Sequence, residues 1–546
     1  MGGGLDGRYR GIARCLALLA LGSSGVAGVS GCYSESCAEG YLCEISPPEP
    51  SPCDGSPATA AALDMCGVFV SAHGDDNHPG TKDAPVKTLQ HAIGLAAHGR
   101  AHGEAATRRV YACGGEFAET ITLPSGVDLW GGRRCDGGDW SYEGAFGGPD
   151  HRTIIAPPGG IPLRVLGAEH SGLAGDGTAS LISGVRVVAA AASAPDGKSS
   201  IAMILSTGAR AIVQDSVIIA DNGKDGEPGQ DAPSDRATDG VEGNHGASAC
   251  TADAAVGALP VVTVCDDGIE STGGYGGDGG LDVGGDGAPG KPAPVEVSDR
   301  DGRGGVGADA TRCEDGNYGP DGADAARAGG AFGPGILSDD GWIGVRGEDG
   351  KKGGVGHGGG GGGGSKSRGL MFACPVRLPQ SGAAGGSGGS GGCGGKGGKG
   401  GGYGGASIGI VALEGTDLTV ANTDVLTGKG GQGGVGGTGQ PGGVGRRGAH
   451  GGLGYAGGGM WDACRGGDGG NGGRGGDAGG GLGGASVGIA YVVPNFAIRP
   501  GTNIVAAGAG PGGLAGNAGP EDEVGKGGFG PEGALYAFPA AIEPLH

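Results

Sequence analysis

Three stretches of this chain are versions of one another. Ser407 to Gly428 reads SIGIVALEGTDLTVANTDVLTG, Ser200 to Asn222 reads SIAMILSTGARAIVQDSVIIADN, and Ser486 to Gly508 reads SVGIAYVVPNFAIRPGTNIVAAG. Each opens with Ser and a β-branched residue (Ile201, Ile408, Val487), passes through a turn and closes on a short apolar run (Val217 to Ile219, Val425 and Leu426, Ile504 and Val505). Short Val- and Ile-rich segments punctuated by Gly, Asp, Asn and Thr predict strands joined by tight turns, not helices. A unit this small cannot bury its apolar face alone, so the copies must stack on one another. The expected fold class is all-β, a parallel solenoid interrupted by the glycine-rich tract that follows each copy.

Glycine supplies 142 of the 546 residues and aromatics only 4%, against a usual glycine share of roughly 7%. Much of the chain therefore cannot fill a side-chain core. Proline, at 31 residues, is near its ordinary share, which argues against a collagen triple helix. Tracts such as Gly385 to Gly405 and Gly466 to Gly484 repeat as Gly-Gly-X. A three-residue period matches the polyproline II helix, whose amides and carbonyls point outward and need partners. Neighbouring runs without side chains can pair laterally as a polyglycine II bundle. The alternative is a disordered loop, favoured by the entropy that glycine loses on ordering. The formal charge of −22 disfavours nucleic acid as a partner and suits solubility or cation binding.

Arg8, Arg10 and Arg14 precede a short apolar run from Cys15 that continues through small residues to Val29, the layout of an export signal. It ends in Val29-Ser30-Gly31-Cys32, which resembles a bacterial lipobox. That resemblance implies cleavage before Cys32, acylation of Cys32 and a lipid-anchored protein at the outer membrane or cell surface. The alternative is an ordinary signal peptide, with Cys32 in a disulfide. Of fourteen cysteines, setting aside Cys15 and Cys32 leaves twelve, an even number in an oxidising compartment. Cys37, Cys43, Cys53 and Cys66 crowd a Pro- and Ser-rich tether. Cys113 and Cys135 are separated by about one repeat and are a candidate disulfide. Cys250, Cys265, Cys313, Cys374, Cys393 and Cys464 lie scattered through the glycine tracts, where staples would compensate for a missing core. The spacing leaves connectivity open, and zinc is disfavoured because paired C-x-x-C spacing is absent.

Gly67 to Ser71 reads as a strand, and Leu89, Ala92, Ile93 and Ala96 form an apolar stripe at helical spacing that stops at Gly99. Strand, polar loop and short helix would cap a stack and protect its end. The run Asp75 to Ile93, with Pro79-Gly80-Thr81, Pro85, Thr88-Leu89 and Ala92-Ile93, resembles the leading segment of right-handed parallel β-helix proteins related to pectate lyases. Val110 to Gly132, VYACGGEFAETITLPSGVDLWGG, resembles their first coils. The likeness spans about residues 66 to 222 and implies that fold. The Gly-Gly-X tracts are similar to those of mycobacterial polymorphic GC-rich repeat surface proteins, without their amino-terminal domain. Lipobox, coils and tracts together resemble exported glycine-rich lipoproteins of myxobacteria. The implied plan is a signal peptide (1–31), a tether (32–65), a capped β-helix (66–222), a glycine-rich region (223–405), one coil (406–428), a second glycine-rich region (429–485) and a last coil with a glycine-rich end (486–546).

An enzymatic β-helix would need convergent carboxylates. Asp215 with Asp221, and Asp417 with Asp424, stand near turns, but Asp is also an ordinary turn residue. Asp75, Asp76, Asn77 and His78 are the densest polar cluster. His73, His91, His98 and His102 lack a metal-ligand spacing such as H-E-x-x-H. Gly273 to Leu281 and Gly472 to Gly480 approach the calcium repeat G-G-x-G-x-D-x-U-x but carry Gly280 and Gly479 at its apolar position. Lys396 and Lys399 read as a solvated edge. No catalytic, cofactor or metal residue is assigned, with Ca²⁺ kept as the conceivable ion. The expected role is a non-catalytic cell-surface structural or adhesive lipoprotein, its partners a membrane through the anchor and either extracellular polysaccharide or further copies of itself. The alternative is a carbohydrate-active enzyme (a polysaccharide lyase or hydrolase) or a sugar-binding module. That reading would want an aromatic-lined groove, and Trp130, Trp140, Trp342 and Trp461 are the only tryptophans.

Overall fold

The computed structural model describes residues 51–98, 108–136, 138–146, 152–167, 178–293, 301–368, 374–493 and 495–540. Cys32, Cys37, Cys43, His102 and the export segment lie outside the described residues. Pro52–His546 form one structural unit.

Most strands of this unit belong to three parallel sheets. Sheet 1 runs in spatial order Val68–Val70, Arg109–Cys113, Asp128–Arg134, Ser180–Ser183, Arg210–Gln214, Asp417–Ala421 and Asn495–Ile498, with Ser141–Tyr142 added antiparallel to its third strand. Sheet 2 runs Gly115–Phe117, Thr153–Ile155, Val185–Ala189, Val217–Ala220, Asp424–Thr427 and Asn503–Val505. Sheet 3 runs Ile121–Pro124, Leu163–Leu166, Ser200–Leu205, Ser407–Ala412, Ser486–Tyr491 and Glu532–Ala537. From Arg109 onward the chain visits sheets 1, 2 and 3 in turn and returns to sheet 1, each round laying a parallel strand on the round before. The three sequence repeats are successive rounds in register: Ser200 pairs with Ser407 and Ser407 with Ser486, and likewise Ile201, Ile408 and Val487.

Alternation of side chains decides which residues meet inside. Val110, Ala112, Leu129, Ile182, Val213 and Val420 of sheet 1 face Ile155, Val187, Ile218 and Val425 of sheet 2 and Leu163, Met203, Ile410 and Ile489 of sheet 3 in one continuous core. The middle strands of sheet 3 are buried on both faces: their outward Ile201, Ile204, Ile408, Val411 and Val487 pack with Leu337 and Trp342 of a hairpin, Ile336–Ser338 with Gly341–Ile343. Burial on both sides is why SIAMIL and SIGIVA are nearly uninterrupted apolar runs. The outer face of sheet 1 carries Phe69, Tyr111 and Trp130 in neighbouring strands, covered by the 52–66 segment with its Cys53–Cys66 disulfide.

One helix, α1 (Leu89–Ala97), closes the first end of the core, burying Leu89, Ala92, Ile93 and Ala96. Thr88 makes no side-chain cap. Instead Glu119 accepts from the amides of Leu89 (2.7 Å) and Gln90 (3.1 Å), placing a carboxylate at the helix amino terminus. Gln90 in turn bonds both backbone groups of Thr122. Glu119 and Thr122 belong to the stretch that resembles a first coil, and here they tie the cap to the sheets.

The described residues of the glycine tracts are hydrogen-bonded to one another along their length. All three long excursions, 221–406, 428–485 and 506–531, leave the end of a sheet 2 strand and return at the start of a sheet 3 strand. They therefore run side by side. Gly223, Gly226 and Gly229 donate to the carbonyls of Lys429, Gln432 and Val435, at 2.7–2.8 Å, and after two extra residues between Ala232 and Ala237 the spacing of three resumes as far as Gly246 and His450. The returning run is held on several sides. Gly389, Gly392 and Gly395 donate to Gly467, Gly470 and Gly473, while Ser387 and Ser390 donate to Asn244 and Val241. Its carbonyls at Gly389, Gly392 and Gly395 accept from Gly359, Gly356 and Gly353, and those at Ser390 and Cys393 from Arg446 and Gly443. Successive residues along each run thus bond to different neighbouring runs. The sequence alternative of disordered loops does not describe these residues.

Three disulfides fasten distant parts of the tracts: Cys250–Cys374, Cys265–Cys393 and Cys313–Cys464. Cys113–Cys135 joins the strand Arg109–Cys113 to the residue that follows its neighbour Asp128–Arg134. With Cys53–Cys66, these five bonds mark a chain that matures in an oxidising compartment outside the cytoplasm. No helix among the described residues is long and apolar enough to cross a membrane.

Candidate functional site

The carboxylates singled out in the sequence do not converge. Asp215 sits in the turn between sheets 1 and 2 with φ of 49°, and Asn422, one round later, has φ of 43°. Asn422 Nδ2 donates to Asp215 Oδ1 at 2.7 Å, so the two left-handed turns are stapled together. Asp221 lies at the far end of the Val217–Ala220 strand, about 20 Å along an extended chain from Asp215, and accepts from the amide of Asn222. Asp417 stands in sheet 1 between Arg210 and Asn495, and Asp424 in sheet 2 between Val217 and Asn503. The polar cluster before α1 is likewise structural. Asp76 accepts from the amides of Lys87 (2.8 Å) and Thr88 (2.9 Å) and from the Thr88 hydroxyl (3.0 Å). Burial pushes its pKa up, but these hydrogen bonds outweigh burial and hold it below the usual carboxylate range. Asp75 accepts from the amide and side chain of Asn77.

The acidic residues of the tracts have a task that local sequence does not announce. Asp225 Oδ1 accepts from the amide of Gln432 (2.7 Å), while the amide of Gly226 donates to the carbonyl of the same Gln432. Asp239 with Gly240 grips Val444 in the same way, Asp321 with Gly322 grips Asn471, and Asp324 with Ala325 grips Arg474. An outer tract has peptide groups with no further tract beyond them, and a buried or half-buried amide needs an acceptor. Each such Asp supplies one, so much of the acidity of this chain is fixed to its glycine seams. Asp278 and Asp477, from the two stretches that approach a calcium repeat, are used similarly, on the amides of Gly257 and Gly439. Among the described residues no group of three or more His, Cys, Asp or Glu side chains is placed to hold a metal ion.

Among the described residues, two clefts are candidate sites. One, about 450 Å³, is lined by His73, Lys82, Cys113, Arg133, Cys135, Asp136 and Trp140. Arg133 is only 2% exposed; its guanidinium donates to the carbonyls of Trp140 (3.1 Å) and Pro57 (2.8 Å) and lies near the rings of Tyr111 and Tyr142, 5.3 Å from each centroid. Arg109 lies 3.4 Å from the centre of the Trp130 ring and donates to the Cys53 carbonyl. Its partner Asp128, 3.6 Å away, has its pKa raised by burial. These groups hold the 52–66 segment against sheet 1.

The other cleft, about 470 Å³, lies where the sheets meet the tracts and is lined by Lys198, Glu227, Gln230, Arg346, Asp349, Lys399 and Tyr403. Lys198 reaches over the Tyr403 ring, 4.8 Å from its centroid, and Trp342 stands edge-on behind that ring. Asp349 takes the Gly400 amide (2.8 Å) and the Lys399 ammonium (2.9 Å), which lower its pKa. Burial, then the charges of Asp196 and Glu227, raises the Tyr403 phenol. Lys396, expected at a solvated edge, pairs with Asp266 at 2.9 Å. The sequence reading missed both Lys198 and Tyr403, because they come together only through tertiary pairing.

No family model matches the chain, and neither a curated protein nor a solved structure is detectably similar to it.

Proposed function

We propose that this protein is a non-catalytic structural or adhesive element outside the cytoplasm, built as a parallel β-helical solenoid with a polyglycine II bundle growing from one corner and anchored through an acylated Cys32. The observation that carries this reading is the tract hydrogen bonding. A run such as 384–405 bonds outward to several neighbouring runs with a period of three, and three disulfides clamp the same region. Such a lattice is stiff, contains few side chains that could do chemistry, and places its carboxylates on its own backbone. The likeness of the 66–222 stretch to pectate-lyase-type proteins bears on fold alone, since function resides in sites and not in folds.

Hydrogen exchange on the mature protein tests the role of the tracts. Amides of 385–405 are expected to be as protected as those of 407–426; rapid exchange in the tract with protection only in the strands would remove the rigid-element reading. The anchor has its own test, in which Cys32→Ser moves the exported protein from the membrane fraction to the soluble one. A Cys32→Ser protein that stays with the membrane rules the anchor out.

A further inference from the structure

The two ends of the stacked core are finished differently. At the first end, α1 covers the core and leaves Leu89 and Ile93 no more than 1% exposed. At the last end, no described residue covers the inward rows. Val420 is fully buried, yet Ile498, next in its row, is 38% exposed; Ile489 is fully buried, yet Leu535 above it is 40% exposed. Phe496 and Ile504 complete this layer and are only partly buried. Three strand edges, Asn495–Ile498, Asn503–Val505 and Glu532–Ala537, close their sheets there, each with backbone groups facing away from its only partner.

We infer that this end is an interaction surface and that its partner is the same end of a second copy of this chain. A single extended peptide could pair with one of the three edges and would leave the other two and the core layer bare. The opposite end of another copy is closed by α1. An identical end presents three edges and the same apolar layer at once, and apposition about a two-fold axis turns the facing strands antiparallel, a permitted ladder. In the rows of Asp417 and Asp424 the last round carries Asn495 and Asn503, while Glu532 stands in the row of Ser486, so in these rows a chain of formal charge −22 brings one carboxylate fewer to the end where two copies would meet. The inference stands independently of the adhesive role proposed above.

Sedimentation velocity on the mature full-length chain is expected to show a dimer. Ile498→Lys with Leu535→Lys, at positions already part-exposed, is expected to raise the dimer dissociation constant by ~10-fold or more, with hydrogen-exchange protection of 385–405 unchanged as the control for folding. Should that variant fold poorly, Asn495→Asp with Asn503→Asp restores side chains that fold in the previous round, and is expected to dissociate the dimer at low ionic strength. A monomer at every concentration overturns the inference, whether the end is then covered by 541–546 or left bare. So does a dimer that survives both pairs of substitutions.

Discussion

Two glycines show what a missing side chain does in different settings. Gly395 lies in the returning tract with no positive φ, so its backbone conformation is open to any residue. A Cβ there would sit 2.0 Å from the Gln440 carbonyl oxygen, far inside contact distance. The residue is glycine for close approach, not for dihedral freedom. In α1, a Cβ on Gly94 would meet nothing within 4 Å. Gly395→Ala is therefore expected to destabilise by about 1–3 kcal/mol through overpacking, and Gly94→Ala to stabilise by roughly 0.5–1 kcal/mol through helix propensity and a less flexible unfolded chain. Denaturant melts of the two variants check both signs. Equal effects would mean that the tract relaxes freely and is not a lattice.

At the scale of elements, the hairpin Val262–Val264 with Glu270–Thr272 shows how small pieces are seated on glycine. Thr263 and Ser271 face inward: the Thr263 hydroxyl lies 2.6 Å from that of Ser390, and Ser271 Oγ accepts from the Gly391 amide at 2.8 Å, while Val262 and Val264 are exposed. A glycine surface offers backbone groups instead of an apolar pocket, so hydroxyls fit it better than valines. The turn of this hairpin carries Asp266, bonded to Lys352 and Lys396, and the Cys265–Cys393 disulfide. Hydrogen bonds from the two lysines lower the Asp266 pKa to about 2. A carboxylate depressed in the folded state contributes stability above its unfolded value of ~4 and loses it as pH falls through the folded value. Exchange protection of 262–272, corrected for intrinsic rate, is thus expected to hold down to ~pH 4 and to fall towards pH 2, while 407–412 keeps its protection. Asp266→Asn should flatten that dependence, and a variant that titrates like the parent would place the acid response elsewhere.

At the scale of the whole molecule, one rule organises the chain. The core repeats, and the three long glycine excursions all leave at one corner, so each inherits the alignment of the strands from which it leaves. Ala406 bonds Ser199 across 207 residues, and Lys429, Gln432 and Thr438 bond Asn222, Asp225 and Asp231 across the same 207. The register of the sheets is carried into the tracts as far as Asp231, beyond which two extra residues shift it, so that Asp239 bonds Val444 across 205. The same rule brings three strand edges together in the last round, where the dimer is expected.

The repeats, the parallel strands and the capping helix were legible in the amino-acid sequence because their signals are local. Ser-Ile and Ser-Val openings, period-two alternation and the stripe Leu89, Ala92, Ile93, Ala96 each lie within one element. Cys53, Cys113 and Cys135 could be read as bonded cysteines, and a three-residue period could be read from Gly-Gly-X. What tertiary structure alone decided was which tract meets which. Every Gly-Gly-X run has the same period and offers the same backbone groups, so nothing local distinguishes Gly467 from Gly443 as a partner. That choice comes from the corner at which the chain leaves the sheets. For the same reason Cys265 finds Cys393, Asp225 takes up an amide on Gln432 instead of merely making a turn, and Lys198 comes to rest over Tyr403.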